Sequence, residues 1–149
     1  MAVRMELSRI LIRELADYQI IELREVAPGG AGDSESGGQI EGGRAFPIVI
    51  GLPEAQAIER RLKGVQIKRP QTHDLLASVI TTLGGKLESI TINDLAEQTF
   101  FASLDVRTGE GQVVHVDCRP SDAIALGIAG GVPIFVAEHV LEAATRDEP

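Results

Sequence analysis

Two different apolar spacings alternate along this chain, and they restrict it to folds in which helices pack on a sheet. Residues 3 to 14 and 19 to 26 alternate apolar with polar side chains, as half-buried strands do. Residues 51 to 64 and 72 to 83 instead repeat apolar residues at helical spacing. With four Phe, one Tyr and no Trp, the core must consist of Ile, Leu, Val and Ala.

The rest of the chain predicts further strands and short helices. Strands are expected at residues 44–51, 86–92, 99–107, 112–118 and 133–136, and short helices at residues 122–128 and 138–145. Strands interrupted by helices, with hairpins among them, predict a single α+β domain over residues 1–149, with a mixed, mainly antiparallel sheet and about four helices. The two longer helices are expected to share a core. Seven glycines in residues 27 to 43 predict a flexible loop between strands.

The net charge of −8 is unevenly distributed, and only residues 42 to 85 are basic, with 6 Lys/Arg against 3 Asp/Glu. Nucleic-acid binding depends on cations that contact phosphates, so an interface for RNA or DNA is expected only at the basic run. This run is Arg60, Arg61, Lys63, Lys68 and Arg69. A charged, solvated helix face explains the same run equally well.

Several features lead us to expect a cytoplasmic protein without a membrane span. The single cysteine, Cys118, cannot form an intrachain disulfide. The first twenty residues lack the apolar run of a signal peptide. No stretch approaches 18 uninterrupted apolar residues.

Two predicted helices begin with similar segments, and each is a candidate phosphate site. Arg69 and Arg119 both precede a proline, which holds the preceding residue in an extended conformation just outside the helix. Free backbone N–H groups and the helix dipole favour an anion there, and a guanidinium can bind phosphate with two hydrogen bonds. The two starts therefore predict phosphate binding by these arginines.

A purely structural interpretation of the same helix starts is also open. Thr72 and Ser121 are good N-cap residues, and Asp74 and Asp122 in the first turns interact favourably with the helix dipoles. On this interpretation each preceding arginine pairs with a neighbouring carboxylate and binds no ligand.

Carboxylates near these segments are candidate ligands for a divalent metal. Oxygen ligands suit Mg²⁺ or Mn²⁺, and the candidate residues are Glu54, Asp74, Asp117 and Asp122. On the strand at 112–118, His115 and Asp117 point to the same face and could share a metal or a proton, although a polar outer face explains them equally well. The chain contains no HExxH, no GxxxxGK[ST] and no GxSxG motif.

Five segments taken together resemble the bifunctional nuclease (BFN) family over nearly the whole chain. They are GLPEAQAIERRL (51 to 62), RPQTHDLL (69 to 76), QTFFASL (98 to 104), DCRPSDAIALGI (117 to 128) and PIFVAEHVL (133 to 141). The resemblance implies RNase and DNase activity, a compact α+β fold and assembly into homo-oligomers. The family's polar positions fall here on Glu54, Arg69, His73, Asp74, Arg119, Ser121 and Asp122.

This chain departs from the family pattern at two places. Leu is common in the family at the position of Gln71, and a basic residue often follows the helix where this chain has residues 129 to 131. The second difference predicts weaker phosphate binding near the second helix start.

The leading hypothesis is a phosphodiesterase that acts on RNA and DNA. Arg69, Arg119 and Ser121 would hold phosphate, Asp74, Asp117 or Asp122 would bind a divalent cation, and His73 or a metal-bound water would supply the acid or base. One alternative is a non-catalytic anion-binding or regulatory module. Another is a scaffold that forms oligomers through residues 133 to 141.

Overall fold

The computed structural model describes residues 1–13, 15–26 and 43–146, over which the chain forms seven strands and four helices. The strands are β1 (Ala2–Leu11), β2 (Gln19–Glu25), β3 (Ala45–Ile50), β4 (Lys86–Ala96), β5 (Thr99–Arg107), β6 (Val113–Cys118) and β7 (Ile134–Ala137). The helices are α1 (Leu52–Lys63), α2 (Thr72–Thr82), α3 (Pro120–Gly130) and α4 (Glu138–Thr145). The predicted α+β fold is confirmed. The predicted loop at 27–43 lies, except for Gly43, outside the described residues.

The strands form one sheet in the order β3-β2-β1-β7-β4-β5-β6. Only β4 and β7 pair in parallel, and every other neighbouring pair is antiparallel, which confirms the predicted mixed sheet. Strand β7 is central, and Val140 and Leu141 of the following α4 are fully buried. Most apolar side chains of residues 133 to 141 thus fill the chain's own core, whereas Phe135 is only half-buried, and an oligomer interface at this segment stays a prediction.

Alternation along the strands gives the sheet one apolar face, and the helices cover it. Ile21, Ile48, Ile90, Leu104 and Val136 all belong to the buried core on this face. Helix α3 is apolar on nearly all sides, as its sequence predicts, and most of it is buried between the sheet and α1. None of the four helices has the length and apolar character that a membrane crossing requires.

Helix α2 lies at the edge of the helical layer, and it has no buried residue. Ala77 and Ile80 pack against the core, whereas Leu75, Val79 and Leu83 are exposed. The expectation that α1 and α2 share a core is confirmed, since Ile58 of α1 lies in the same hydrophobic cluster against which Ile80 of α2 packs, although α1 itself contacts mainly α3. Much of the predicted apolar stripe of α2 nevertheless faces solvent, because Ala77 and Ile80 are the residues of α2 that pack on the core.

The sheet is curved enough to bring its two edges near each other. Phe46 of the edge strand β3 stacks on Phe100 of β5 with ring centroids 5.5 Å apart, although four strands separate β3 from β5 in the sheet. Helix α1 follows β3 after Gly51, and α3 follows the opposite edge strand β6 after Arg119. Curvature therefore brings together the first turns of α1 and α3.

Candidate active site

Side chains from the first turns of three helices meet at one place, which we call the helix-start cluster. It consists of Glu54 in the first turn of α1, His73 in the first turn of α2, and Arg119 and Asp122 at the start of α3. These residues are separated by up to 68 positions in the sequence, and the curvature of the sheet and the packing of α2 on α3 bring them together.

Arg119 donates hydrogen bonds to both carboxylates of the cluster. Its Nε and Nη2 donate to the two carboxylate oxygens of Asp122 at 2.9 Å each, and its Nη1 donates to Glu54 Oε2 at 3.2 Å. His73 Nε2 lies 3.1 Å from Asp122 Oδ1, the same oxygen that accepts from Arg119 Nη2. Arg119 is 63% exposed whereas His73 is 17% exposed, so the guanidinium faces solvent and the imidazole is enclosed.

The charges in the cluster determine the tautomer of His73. Burial raises the pKa of Asp122, but hydrogen bonds from Arg119 and His73 outweigh burial and hold that pKa below its usual value. The hydrogen bond to Asp122 likewise raises the pKa of Arg119. An ionised carboxylate only accepts hydrogen bonds, so His73 Nε2 carries a proton, and in the neutral imidazole the lone pair is on Nδ1. Asp122 thus orients the imidazole as the carboxylate of a catalytic dyad does.

The N-cap residues differ from the predicted ones. Gln71 caps α2 and Arg119 caps α3, whereas Thr72 and Ser121 lie inside the helices, and Ser121 is buried. The structural expectation that Thr72 and Ser121 are the caps is therefore wrong. No side-chain cap bonds the first backbone N–H groups of α1 or α3, and such unpaired donors favour an anion nearby.

The other predicted site residues lie apart from the cluster. Asp74 forms an ion pair with Arg61 and accepts a 3.0 Å hydrogen bond from the backbone of Gln71. Arg69 lies in the bend before α2, is exposed, and makes no hydrogen bond with any other described residue. The structure therefore brings His73, Asp122 and Arg119 together but does not bring Arg69 into contact with them.

The predicted metal ligands are also only partly assembled. Glu54 and Asp122 contact the same guanidinium, whereas Asp117 is exposed on the edge strand β6. Within the residues that the structure describes, no group of three or more His, Cys, Asp or Glu side chains is arranged to hold a metal ion.

Two cavities border the helix-start cluster. The first, which we call the α1–α2 cavity, has a volume of about 300 Å³ and is lined by His73 together with residues from the end of α1 and the α1–α2 connection. The second, of about 550 Å³, lies near the converging sheet edges and is lined by Glu54, Arg119 and Ser121 among others. A ligand in either cavity can reach a residue of the cluster.

A second polar network, centred on Asp105, was not predicted from the sequence. Asp105 is buried on the sheet face opposite the helices and accepts hydrogen bonds from the hydroxyls of Ser89, Thr91 and Ser103 at 2.7 to 3.0 Å. His115 Nδ1 lies 2.7 Å from the same carboxylate. The short turn at 108–112 fixes the β5–β6 register and could have revealed that position 105 faces position 115.

Asp105 should make stability depend on pH in acid. Burial raises the pKa of Asp105, but four hydrogen bonds outweigh burial and lower it below the usual value. A lowered pKa in the folded state stabilises the protein above about pH 4, and this contribution is lost as the pH falls through the lowered value. We expect the stability difference between wild type and Asp105→Asn to be constant from about pH 5 to 7 and to shrink below about pH 4. Urea unfolding at several pH values measures it, and a difference that does not shrink in acid would contradict the assignment.

The geometry defines a class of protein: a small α+β domain whose partly buried His–Asp pair adjoins an exposed arginine, an arrangement suited to acid–base chemistry on an anionic substrate. The family model described as the bifunctional nuclease domain matches residues 38–149. The chain belongs to the bifunctional nuclease domain family.

The chain is also similar to individual proteins, two of which are named bifunctional nucleases. An alignment of 106 residues with an uncharacterized protein of Mycobacterium tuberculosis shows 42% identity and covers 71% of this chain and 62% of the relative. Alignments of 100 residues with Bifunctional nuclease 2 and Bifunctional nuclease 1 of Arabidopsis thaliana show 25% and 24% identity. They cover 66% of this chain and 30% and 31% of those proteins. The chain thus spans less than two thirds of the length of these curated relatives.

Proposed function

We propose that this protein hydrolyses phosphodiester bonds in RNA and DNA at the helix-start cluster. The observation that carries the proposal is the His73–Asp122 pair beside Arg119, in a chain of the bifunctional nuclease domain family. Two relatives are named as bifunctional nucleases. The single cysteine also fits a reducing compartment such as the cytoplasm.

The proposed reaction assigns roles to His73, Asp122 and Arg119. His73 Nδ1 accepts a proton from the attacking water while Asp122 holds the imidazole and stabilises its charge. The water oxygen bonds to phosphorus, the bond to the leaving oxygen breaks, and the leaving oxygen takes a proton from the imidazolium or from solvent. Arg119 attracts the phosphate, and we expect a phosphate oxygen to replace Glu54 at Nη1, because that single contact is the longest of the three.

A divalent cation is also part of the proposal. Glu54 and Asp122 are held by the same guanidinium, and Mg²⁺ is commonly bound by one or two carboxylates together with substrate phosphates. These two residues would therefore hold Mg²⁺ or Mn²⁺, which supplies Lewis-acid stabilisation of phosphoryl charge when bound. Asp74 and Asp117, also predicted as ligands, would each have to move toward the cluster or act through water.

Cleavage of single-stranded RNA and single-stranded DNA by the purified wild type tests the function. We expect both substrates to be cut, and we expect EDTA to abolish cutting and Mg²⁺ or Mn²⁺ to restore it, because the metal neutralises developing phosphoryl charge. Activity that persists in EDTA would contradict the metal role alone. Substrates that stay intact across Mg²⁺ and Mn²⁺ titrations would contradict the nuclease proposal.

A second candidate function is favoured by one specific observation. Nε, Nη1 and Nη2 of Arg119 all donate to carboxylates of the same chain, as in a non-catalytic module whose arginine fastens helices or holds an occasional anion. Sedimentation of Arg119→Ala separates the two functions. The nuclease proposal predicts unchanged sedimentation and weakened substrate binding, whereas dissociation of an oligomer would indicate a role in assembly.

We also propose that the chain forms homo-oligomers. The exposed apolar side chains of Leu75 and Val79 in α2 and of its C-cap residue Leu83 support this proposal, since such side chains tend to be covered in assemblies. Sedimentation of the wild type and of Val79→Asp tests it. We expect the wild type to sediment as an oligomer and the variant to shift toward the monomer, and a monomeric wild type would contradict the proposal.

A further inference from the structure

The α1–α2 cavity has the size and lining of a site for a small organic ligand. Its volume of about 300 Å³ lies at the lower end of the range for ligand pockets. Apolar side chains from three parts of the chain form much of its wall, among them Ala57 of α1, Val65 and Ile67 of the connection, and Ala129 of α3. Val65 and Ile67 are both exposed, although they are large and apolar. A flat apolar ligand group would cover them.

Positive charge accompanies this apolar wall. Arg60 and Arg61 both line the cavity. Asp74 compensates Arg61 through an ion pair, whereas Arg60 forms no ion pair with any residue in the described ranges. Lys68 and Arg69 follow the lining residue Ile67 in the chain, so two further cations lie close to it in sequence, although neither lines the cavity. This arrangement favours a ligand that combines an apolar ring with a phosphate group.

His73 links the cavity to the helix-start cluster. Its imidazole lines the cavity, and its Nε2 contacts Asp122. Nδ1, the nitrogen to which we assign the base role, has no hydrogen-bond partner among the described residues. A phosphate at the mouth of the cavity would therefore lie beside the imidazole while its base and sugar occupy the apolar part.

We propose that the α1–α2 cavity binds one nucleotide of the substrate, on one side of the phosphate that is cut. The inference rests on the proposed nuclease function and adds the place where one nucleotide of the substrate binds, which we call the subsite. Arg60 binds the phosphate, and Val65 and Ile67 cover one face of the base. Because the apolar part of the wall is aliphatic and the lining contains no Phe, Tyr or Trp, base contacts are weakly selective, which suits cleavage of both RNA and DNA.

Adenosine 5′-monophosphate (AMP) is a suitable probe because the proposed reaction does not consume it. Backbone amide chemical shifts of the wild type are followed during titration with AMP, adenosine and inorganic phosphate. We expect AMP to shift amides around Gly64 to Asp74 and at Ala129, with adenosine and phosphate each binding more weakly. Shifts centred on the second cavity near Arg119, or no shifts up to about 10 mM AMP, would overturn the proposal.

Two variants distinguish phosphate binding by Arg60 in the cavity from a general effect of positive charge on AMP binding. Arg60→Gln removes the uncompensated cation, whereas Lys63→Gln removes a cation from the same last turn of α1 that pairs with Glu59 and does not line the cavity. We expect Arg60→Gln to weaken AMP binding about tenfold, the effect of losing one charge-assisted hydrogen bond, and Lys63→Gln to stay within about twofold. Equal effects of the two substitutions would overturn the proposal.

Cleavage kinetics distinguish failure of the subsite from failure of the nuclease function. Arg60→Gln should raise KM with kcat nearly unchanged, because the helix-start cluster is intact. If the wild type cuts nucleic acid but Arg60→Gln binds AMP normally, the subsite is wrong and the nuclease function stands. If AMP binds in the cavity but nothing is cut, the nuclease function fails, and with it the assignment of this nucleotide to a cleaved strand.

Discussion

His73→Asn is expected to lower the rate of RNA and DNA cleavage by about 10²- to 10⁴-fold, the usual contribution of a general base. Asparagine occupies similar space but has no basic nitrogen at neutral pH. His73 is partly exposed and outside the core cluster, so the fold should be retained. Initial rates on both substrates, with a thermal melt of each variant, measure the effect.

His139→Asn is the matched control for this experiment. His139 also lies near a carboxylate, with Nε2 3.4 Å from Asp94 Oδ1, but this pair is exposed and belongs to α4 and β4. We expect its cleavage rate to stay within about twofold of wild type. Equal rates in wild type, His73→Asn and His139→Asn would mean that the cleavage comes from a contaminating nuclease or from a site that does not use His73. Either result would contradict the role of His73.

Ile124→Ala is expected to have the largest effect on stability, lowering the free energy of unfolding by about 2 to 5 kcal/mol. Ile124 is fully buried at the centre of α3, which packs against α1, α2, β4 and β5. Truncation removes apolar contacts and leaves a cavity beneath the helix that carries Arg119 and Asp122. Chemical denaturation of wild type and variant measures the difference.

Leu83→Ala provides the comparison for Ile124→Ala. Leu83 belongs to the apolar stripe that the sequence assigns to the core, but it is 80% exposed. We expect a change of less than about 0.5 kcal/mol. A loss as large as that of Ile124→Ala would show that Leu83 is buried in solution and that α2 is placed wrongly.

Local patterns were sufficient to predict the elements of this fold. Helix α3 could be predicted as buried because it is apolar on nearly every side. The apolar stripe of α2 did not predict how much of that helix is buried, because periodicity identifies an apolar face of a helix but not the surface that covers it. Of the residues of that stripe, Ile80 packs on the core, together with Ala77 beside it, whereas Leu75, Val79 and Leu83 are exposed.

The candidate site depended on information that spacing along the chain does not contain. Similar Arg-Pro starts suggested that Arg69 and Arg119 act together, yet only Arg119 reaches the cluster. Its partner from α2 is instead His73, which contacts Asp122 because α2 packs on α3. Glu54 joins because the curved sheet brings the start of α1 toward the start of α3. Curvature is a property of the whole sheet, so short motifs could not reveal it.

A double-mutant cycle tests most directly whether His73 and Asp122 act as one catalytic unit. The kcat/KM values for RNA cleavage are compared among wild type, His73→Asn, Asp122→Asn and the double variant, each confirmed as folded. Residues that act as a unit have non-additive effects, so the double variant should cleave within about threefold of the slower single variant. Losses that multiply in the double variant, or an Asp122→Asn variant as active as wild type, would contradict the account.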